Sequence, residues 1–504
     1  MSISTAIGLE RLSRISGYKI SKGFFDNDTP NLPQVIAIFG EANDANQAIL
    51  SLVKRELTSA DEAGKVYGYG SPIHQIMRIL RPNGSEGVGG IPTIVFPQLA
   101  AVGATATIHE WTVTGAATKN STHSAVIAGR ENLDFVPYSY SVVIGDTPAV
   151  IAGKISDAIN GVLNSPVMAS SALGVVTLTT KWKGSTSAAL NTSFNTNDEA
   201  AGITYAKTAS TDGAGAVSLA GALDQFGNDW NTLVINPYGE DVLDVLEQFN
   251  GFPSEIPTGR WVGQTFMPFM AFFGSVLSDK DELTAITDAE ARKEQLTNVL
   301  CPAPNSPAFP WEAAANVVRL FARTMQDTPH LDVNGYSYPD MPTPSNGIIG
   351  DMSNYNNRDF LIKKGCSNVI LDKGSYKIQD LVTTYHPAGE TPFQYAYCRN
   401  INLDWNFSFA YRILENLYVK DRVLVRDDQT TEASKSIKPV EWKAIIFELI
   451  DLMALRALIN EPAFSKKSVR VQVSPLNHDR IETSLKYKRT GVARIESTDV
   501  EAGF

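Results

Sequence analysis

Val35-Ile36-Ala37-Ile38-Phe39-Gly40 is an unbroken apolar run, entered from Pro33 and left into the polar stretch Asn43-Asp44. An apolar run this short, without alternation, suits a strand covered on both faces, as in a parallel sheet. Leu233-Val234-Ile235-Asn236-Pro237-Tyr238 has the same character, and Phe266 to Gly274 supplies a third such run. Helical spacing separates them: Ser59 to Val66, Pro72 to Leu80, Glu240 to Phe249, and a helix opened by Pro310-Trp311-Glu312 and running to Arg323. Proline at a first helical turn marks the last of these starts. Thr93-Ile94-Val95-Phe96 returns as a further strand. Strands alternating with helices predict an open, mostly parallel α/β sheet.

That sheet is interrupted. Residues 101–205 hold 5 Lys+Arg and 7 Asp+Glu, and Thr, Ser, Ala and Gly dominate. Alternation in Ala104-Thr105-Ala106-Thr107-Ile108, in Ser139 to Ile144 and in Val175 to Thr180 predicts strands. Gly145-Asp146-Thr147-Pro148 predicts a capped helix start, with Ile151, Ile155 and Ile159 forming one apolar stripe. The segment reads as a small, self-contained β-rich domain inserted into the larger one, and Asp212-Gly213-Ala214-Gly215-Ala216 marks its return. Deleting residues 102–205 is then expected to spare assembly of the rest.

From about residue 356 the pattern changes to α+β. Arg358 to Lys364 reads as helix, and Asp372-Lys373-Gly374-Ser375 joins Val369-Ile370-Leu371 to Tyr376-Lys377-Ile378 as a hairpin. Leu381 to Tyr385 reads as a strand, Asn400 to Tyr418 and Pro439 to Asn460 as helices, and Val469 to Val473 as a strand. Leu485 to Lys488 and Val492 to Glu496 read as two final strands. Residues 1–22 are sparse in apolar side chains and include the extended piece Gly17-Tyr18-Lys19-Ile20-Ser21. Such an arm is either frayed or bound to something.

The fold class expected is therefore multidomain α/β: an open α/β middle domain over 23–100 and 206–355, an inserted β-rich domain over 101–205, an α+β C-terminal domain over 356–490, and extended arms at 1–22 and 491–504. A chain of 504 residues is long enough for several cores.

Charge narrows the function. The net charge of −11 carries no basic excess of the kind that phosphate contacts need, so direct nucleic-acid binding is not expected. From Asn356 to Phe504 there are 22 Lys+Arg against 19 Asp+Glu, whereas the remainder holds 21 against 35. Either the domains simply differ, or an acidic outer part accompanies a mildly basic contact part. The first residues lack the apolar core of a signal peptide, and no apolar run is long enough to span a bilayer. A soluble protein without membrane insertion is expected.

Chemistry is sparse. Cys301, Cys366 and Cys398 are widely spaced, and the six histidines show no HExxH or HxH spacing, so neither a disulfide framework nor a metal is expected. No GxSxG elbow or phosphate loop occurs; the Gly-rich stretches at 84–90 and 213–215 lack a strand-to-helix setting. Glu240 with Asp241, and Asp279 with Asp281 and Glu282, read as carboxylates at helix N-termini rather than acid/base pairs. No catalytic residue and no cofactor is assigned.

Several segments, in order, are similar to the Mu-like contractile bacteriophage tail sheath family. They are Gly145-Asp146-Thr147-Pro148 with Ala158-Ile159-Asn160; Pro166-Val167-Met168-Ala169; Val176-Thr177-Leu178-Thr179-Thr180-Lys181 with Gly184; Pro310-Trp311-Glu312-Ala313-Ala314-Ala315; Asn357-Arg358-Asp359; Lys364-Gly365-Cys366-Ser367; and Thr383-Thr384-Tyr385. Val333 to Gly350 departs from the pattern. The resemblance implies a subunit that stacks in six-fold rings around a tail tube and contracts to drive it through a bacterial envelope. It also implies partners: further copies of itself, the tube protein, the baseplate and a tail terminator. The expected setting is a virion tail, assembled in the host bacterial cytoplasm. Terminal arms of the family add strands to a neighbour, which places inter-subunit exchange at Tyr18, Ile20, Val492, Arg494 and Glu496. An uncovered final strand has unpaired backbone groups that strand addition satisfies. Lys466 and Lys467, beside the Pro439–Asn460 helix, are candidates for tube contact, although that helix is apolar enough to be core. The alternatives are the sheath of a related bacteriocin or secretion system, and an α/β hydrolase. A tail tube or an exported adhesin is a further rival, the first expected to be shorter and the second to carry an export signal.

Overall fold

The computed structural model describes residues 30–84, 87–389 and 395–502. The chain is a mixed α/β structure with several sheets. The largest has six strands in the order Asn298–Pro302, Met270–Ser275, Leu233–Asn236, Ile36–Glu41, Thr93–Gln98 and Arg55–Glu56. The first five are parallel; the two-residue Arg55–Glu56 strand closes one edge antiparallel. Ile36 pairs with Thr93 on one side and with Leu233 on the other, so strands from before and after residues 101–205 join side by side in one sheet.

All six residues of Ile36–Glu41 are buried, and the pleat divides them between two cores. Ile36 and Ile38 face the helices Ala60–Tyr67, Pro72–Leu80 and Pro310–Asp327. Ala37 and Phe39 face the helices Ala220–Asp224 and Leu243–Asn250, where Phe39, Phe96 and Phe226 pack within 6.0 Å of one another. The unbroken apolar run is thus explained by helices on both faces. The edge strand Asn298–Pro302 is fully buried but carries Asn298 and Thr297 at its start, which broke the apolar pattern in sequence.

The intervening segment forms a four-stranded antiparallel sheet, Thr204–Thr211, Ile108–Thr114, Val175–Thr180 and Val167–Ala172, and a three-stranded one, Thr192–Asn195, Ser121–Ile127 and Ser139–Val142. Thr147 caps the helix Pro148–Asn160 by accepting from the Val150 amide, and Ile151, Ile155 and Ile159 are fully buried. The expected strand at Ala104 begins only at Ile108. Before it, Thr105 pairs its amide with Ala214 O, and the Thr107 hydroxyl accepts from the Gly213 amide, so these threonines tie the segment's two crossings together. The sheet also continues to Thr211, past residue 205.

The segment packs closely against the rest of the chain. Trp182 is fully buried against Phe309 and Trp311, at ring distances of 5.5 and 6.0 Å. Arg130 reaches Glu312 at 2.6 Å and Asp340 at 3.1 Å, and Arg78 holds Asp134 through both oxygens. The apolar pattern within each part carries no signal of the wall of aromatics that they share.

Beyond residue 355 the helices Cys398–Tyr418 and Pro439–Leu455 pack through Phe407, Ala410, Trp442, Ile446 and Leu449. The second helix stops short of Asn460 because Ala457 turns left-handed, at φ 55°, and Ile459–Asn460 pairs with Lys488–Arg489 instead. The hairpin Asn368–Asp372 with Ser375–Asp380 forms as expected, with Lys373 and Gly374 both at positive φ. Among the described residues Leu381 to Tyr385 makes only an isolated bridge, between Val382 and Tyr397. The expected strand over Leu485 to Lys488 shrinks to Lys488–Arg489, and Val492 to Glu496 makes no ladder with the other described residues.

Candidate functional site

In open α/β sheets ligands bind outside the carboxyl ends of strands where the connection order reverses. The five parallel strands here, ranked by sequence, lie in the order 2-1-3-4-5, which puts that crevice between Ile36–Glu41 and Leu233–Asn236. Residues 182–187 of the intervening segment fill it. The Thr186 hydroxyl lies 3.4 Å from Glu41 Oε1, and the Ser185 hydroxyl 3.3 Å from Asp241. Gly184, at φ 119°, lets the chain pass where a Cβ would come 3.1 Å from the Glu41 carboxyl. Glu41 is sealed from water, and burial pushes its carboxyl up to about 8. The Tyr238 phenol lies beside it without a direct hydrogen bond of normal geometry. The position that would bind a small molecule in a doubly wound enzyme is packed with protein.

A second cleft, of about 860 Å³, separates the segment from the helices Ala60–Tyr67 and Pro72–Leu80. Much of its charge is paired: Asp61 with Lys65, Arg78 with Asp134, and Arg130 with Glu312 and Asp340, while the Tyr69 hydroxyl donates to Asp61. His74 accepts from the Gly70 amide, and burial pushes its imidazole down to about 3, which leaves a poor base. Among the described residues no group of three or more His, Cys, Asp and Glu is placed to hold a metal. No helix of the described residues is long and apolar enough to cross a membrane.

The assembly residues named from sequence fall in three places. Tyr18 and Ile20 lie outside the described residues. Lys466 and Lys467 sit in the last turn of the helix Pro462–Ser468; Lys466 pairs with Asp451 at 2.6 Å and stands over Phe447, while Lys467 is exposed. Helix Pro439–Leu455 itself turns Trp442, Ile446, Leu449, Ile450 and Met453 inward, so it is core. Val492 and Glu496 are exposed in an extended stretch, and between them Arg494 turns inward onto Asp332 and Asp380. Sequence reading missed those two carboxylates, and also Asp404 and Arg399, which hold Arg489 and Thr490. Isolated residues spread from 332 to 404 have no spacing that signals a shared site.

The sheets around this arm are fragments. Val423–Leu424 with Ser436–Ile437, Ile459–Asn460 with Lys488–Arg489, and Arg470–Val473 with Ile481–Ser484 are each two-stranded. Two-stranded sheets are marginal alone and present an unpaired row of N–H and C=O groups on each outer edge.

A multi-sheet α/β chain with fragmentary edges and a ligand crevice filled by its own residues is the architecture seen. No family model matches the chain. Among solved structures it is similar to the sheath tail protein of Desulfitobacterium hafniense, with a TM-score of 0.42 and 11% identity over 94% of this chain and 100% of that one. It is also similar to a chain of the anti-feeding prophage baseplate (TM-score 0.46, 9% identity, 98% of this chain and 100% of that one) and to the contracted helical sheath of the same particle (TM-score 0.41, 9% identity, 98% and 99%). In sequence the chain is similar to the Mu-like prophage FluMu tail sheath protein of Haemophilus influenzae, 25% identical over 348 residues. That match spans 68% of this chain and 66% of the relative, just under two thirds of the latter's length.

Proposed function

We propose that the chain is the subunit of a contractile tail sheath, a structural protein that polymerises as stacked rings around a tail tube and contracts to drive the tube through a bacterial envelope. The similarity over 348 residues to a tail sheath protein carries this reading. The two-stranded fragments of the C-terminal part support it, because strand addition from another copy would complete them. Repeating one heterologous contact without ring closure builds a helical filament. Contraction needs no bound nucleotide when the extended polymer is a kinetically trapped conformer.

On this reading residues 23–100 and 206–355 form the middle domain, 101–205 an outward domain and 356–490 the sheath core, with arms at 1–22 and 491–504. Tyr18, Ile20, Val492, Arg494 and Glu496 belong to arms that link copies. Lys466 and Lys467 face the tube. The partners are further copies, the tube protein, the baseplate and a terminator, in a virion tail assembled in the host cytoplasm.

Negative-stain microscopy of the purified protein is expected to show cog-wheel rings or long hollow tubes. Monodisperse monomers under every ionic condition would refute the polymer. Lys466→Glu with Lys467→Glu should abolish co-sedimentation with tube protein while leaving self-assembly intact; unchanged co-sedimentation would reject the tube contact.

A further inference from the structure

Arg494 is the only residue in 491–502 that is not exposed. Its guanidinium reaches Asp332 through Nη2 and Asp380 Oδ1 through Nη1 at 3.1 Å, and it lies 3.9 Å over the Tyr397 ring. Asp332 follows the helix Pro310–Asp327, Asp380 ends the hairpin strand Ser375–Asp380, and Tyr397 precedes the helix Cys398–Tyr418. One cation therefore joins three separate pieces of the subunit. A planar fork that also stacks on an aromatic face suits Arg, and a Lys would not reproduce it.

The chain just before Arg494 is held as firmly. Arg489 makes a two-pronged pair with Asp404, at 2.7 and 2.6 Å. The carbonyl and hydroxyl of Thr490 accept from the buried Arg399 at 2.6 and 2.9 Å. After Arg494 this stops. Ile495 is 86% exposed and Val500 81% exposed, and residues 495–502 make no ladder with the other described residues.

We propose that Asp332, Asp380 and Tyr397 are a fixed mooring for the C-terminal arm: Arg494 stays on its own subunit, and the segment that crosses to a second copy of this chain begins at Ile495. Withdrawing Arg494 would leave two carboxylates, Asp332 only 3% exposed, facing each other without the one cation that bonds to both. Stripping the partner from a buried charge is strongly destabilising. The segment after Arg494 has no such contacts with the described residues to break, and its eight residues to 502 reach roughly 26 Å when extended. Val492 and Arg494 therefore belong to the root of the arm rather than to its exchanging part. The identity of the second copy rests on the sheath reading; the mooring does not.

The test uses the full-length chain. In dilute, unassembled protein Arg494→Ala should lower the thermal midpoint by roughly 3 °C, Arg494→Lys should recover only part of it, and Val500→Pro should leave it unchanged. An unchanged midpoint for Arg494→Ala would overturn the mooring whether or not the protein polymerises. Under conditions where the wild type forms tubes, Arg494→Ala, Val500→Pro and the double variant Asp332→Asn/Asp380→Asn should each reduce tube yield severalfold. Mixing Arg494→Ala with Asp332→Asn/Asp380→Asn separates the two geometries. A mooring within one subunit gives no recovery of tubes in the mixture. Recovery would mean that the arginine of one copy fills the site of the other, and would overturn the proposal. A wild type that never forms tubes would defeat the sheath reading alone, since the midpoint measurement still reports on the mooring.

Discussion

Glu41 stands at the end of the central strand with a carboxyl that burial raises to about 8 from an ordinary value near 4.5. Folding therefore favours the neutral acid. Its contribution is fully present below about pH 4.5 and is lost as pH rises through about 8, because the unfolded chain ionises first. Glu41→Gln keeps the shape and can donate to Tyr238. It should match the wild type at pH 5 and be more stable at pH 9, by on the order of 3 kcal/mol. Urea midpoints across that range test this; parallel curves for the two proteins would refute it. Arg130 poses the opposite case, a charge kept ionised by Glu312 and Asp340. Arg130→Met strands the buried Glu312 carboxylate and should cost about 3 kcal/mol, and adding Glu312→Leu should recover most of that. A double variant no better than the single one would show that the loss comes from packing.

At the scale of elements, the strand Met270–Ser275 and the helix Pro310–Asp327 meet where only hydrogen fits. A Cβ on Gly274 would lie 1.6 Å from the Pro310 carbonyl oxygen. Gly274→Ala must push the helix start off the sheet, and is expected to destabilise by about 3 kcal/mol in chemical denaturation. Denaturation at the wild-type midpoint would contradict that contact. Element types were largely legible because their signals are local. Periodic Ile151, Ile155 and Ile159 mark one buried helix face, and the Lys373-Gly374 turn marks a hairpin. Strand existence at the C-terminal end was not legible. Leu381 to Tyr385 and Val492 to Glu496 have β composition, but among the described residues the first makes one isolated bridge and the second no ladder, and a strand is defined by its partner.

For the whole molecule, the segment 101–205 packs as a wall against the α/β core. Its Trp182 covers Phe309 and Trp311, its Arg130 neutralises Glu312, and residues 184–187 close the crevice over Glu41. Deleting residues 102–205, which composition alone suggested would be harmless, should instead give aggregated protein, because it uncovers these aromatics and strands a buried carboxylate. Soluble, assembling product from that deletion would restore the appendage view. By contrast Leu173→Ser, at an exposed turn of the same segment, should leave solubility and assembly unchanged.

The amino-acid order alone determined the parallel α/β core, the interruption by a weakly charged β-rich segment, the caps and turns, and the resemblance to tail sheaths, because each is written in neighbouring residues or in their order along the chain. Only the tertiary structure decided that Glu41 is sealed by Thr186, that Arg130 meets Glu312, and that Arg494 meets Asp332 and Asp380. Those partners stand between 114 and 182 residues apart. No local period encodes a charge pair across such distances; it exists only once folding has brought both groups out of water together.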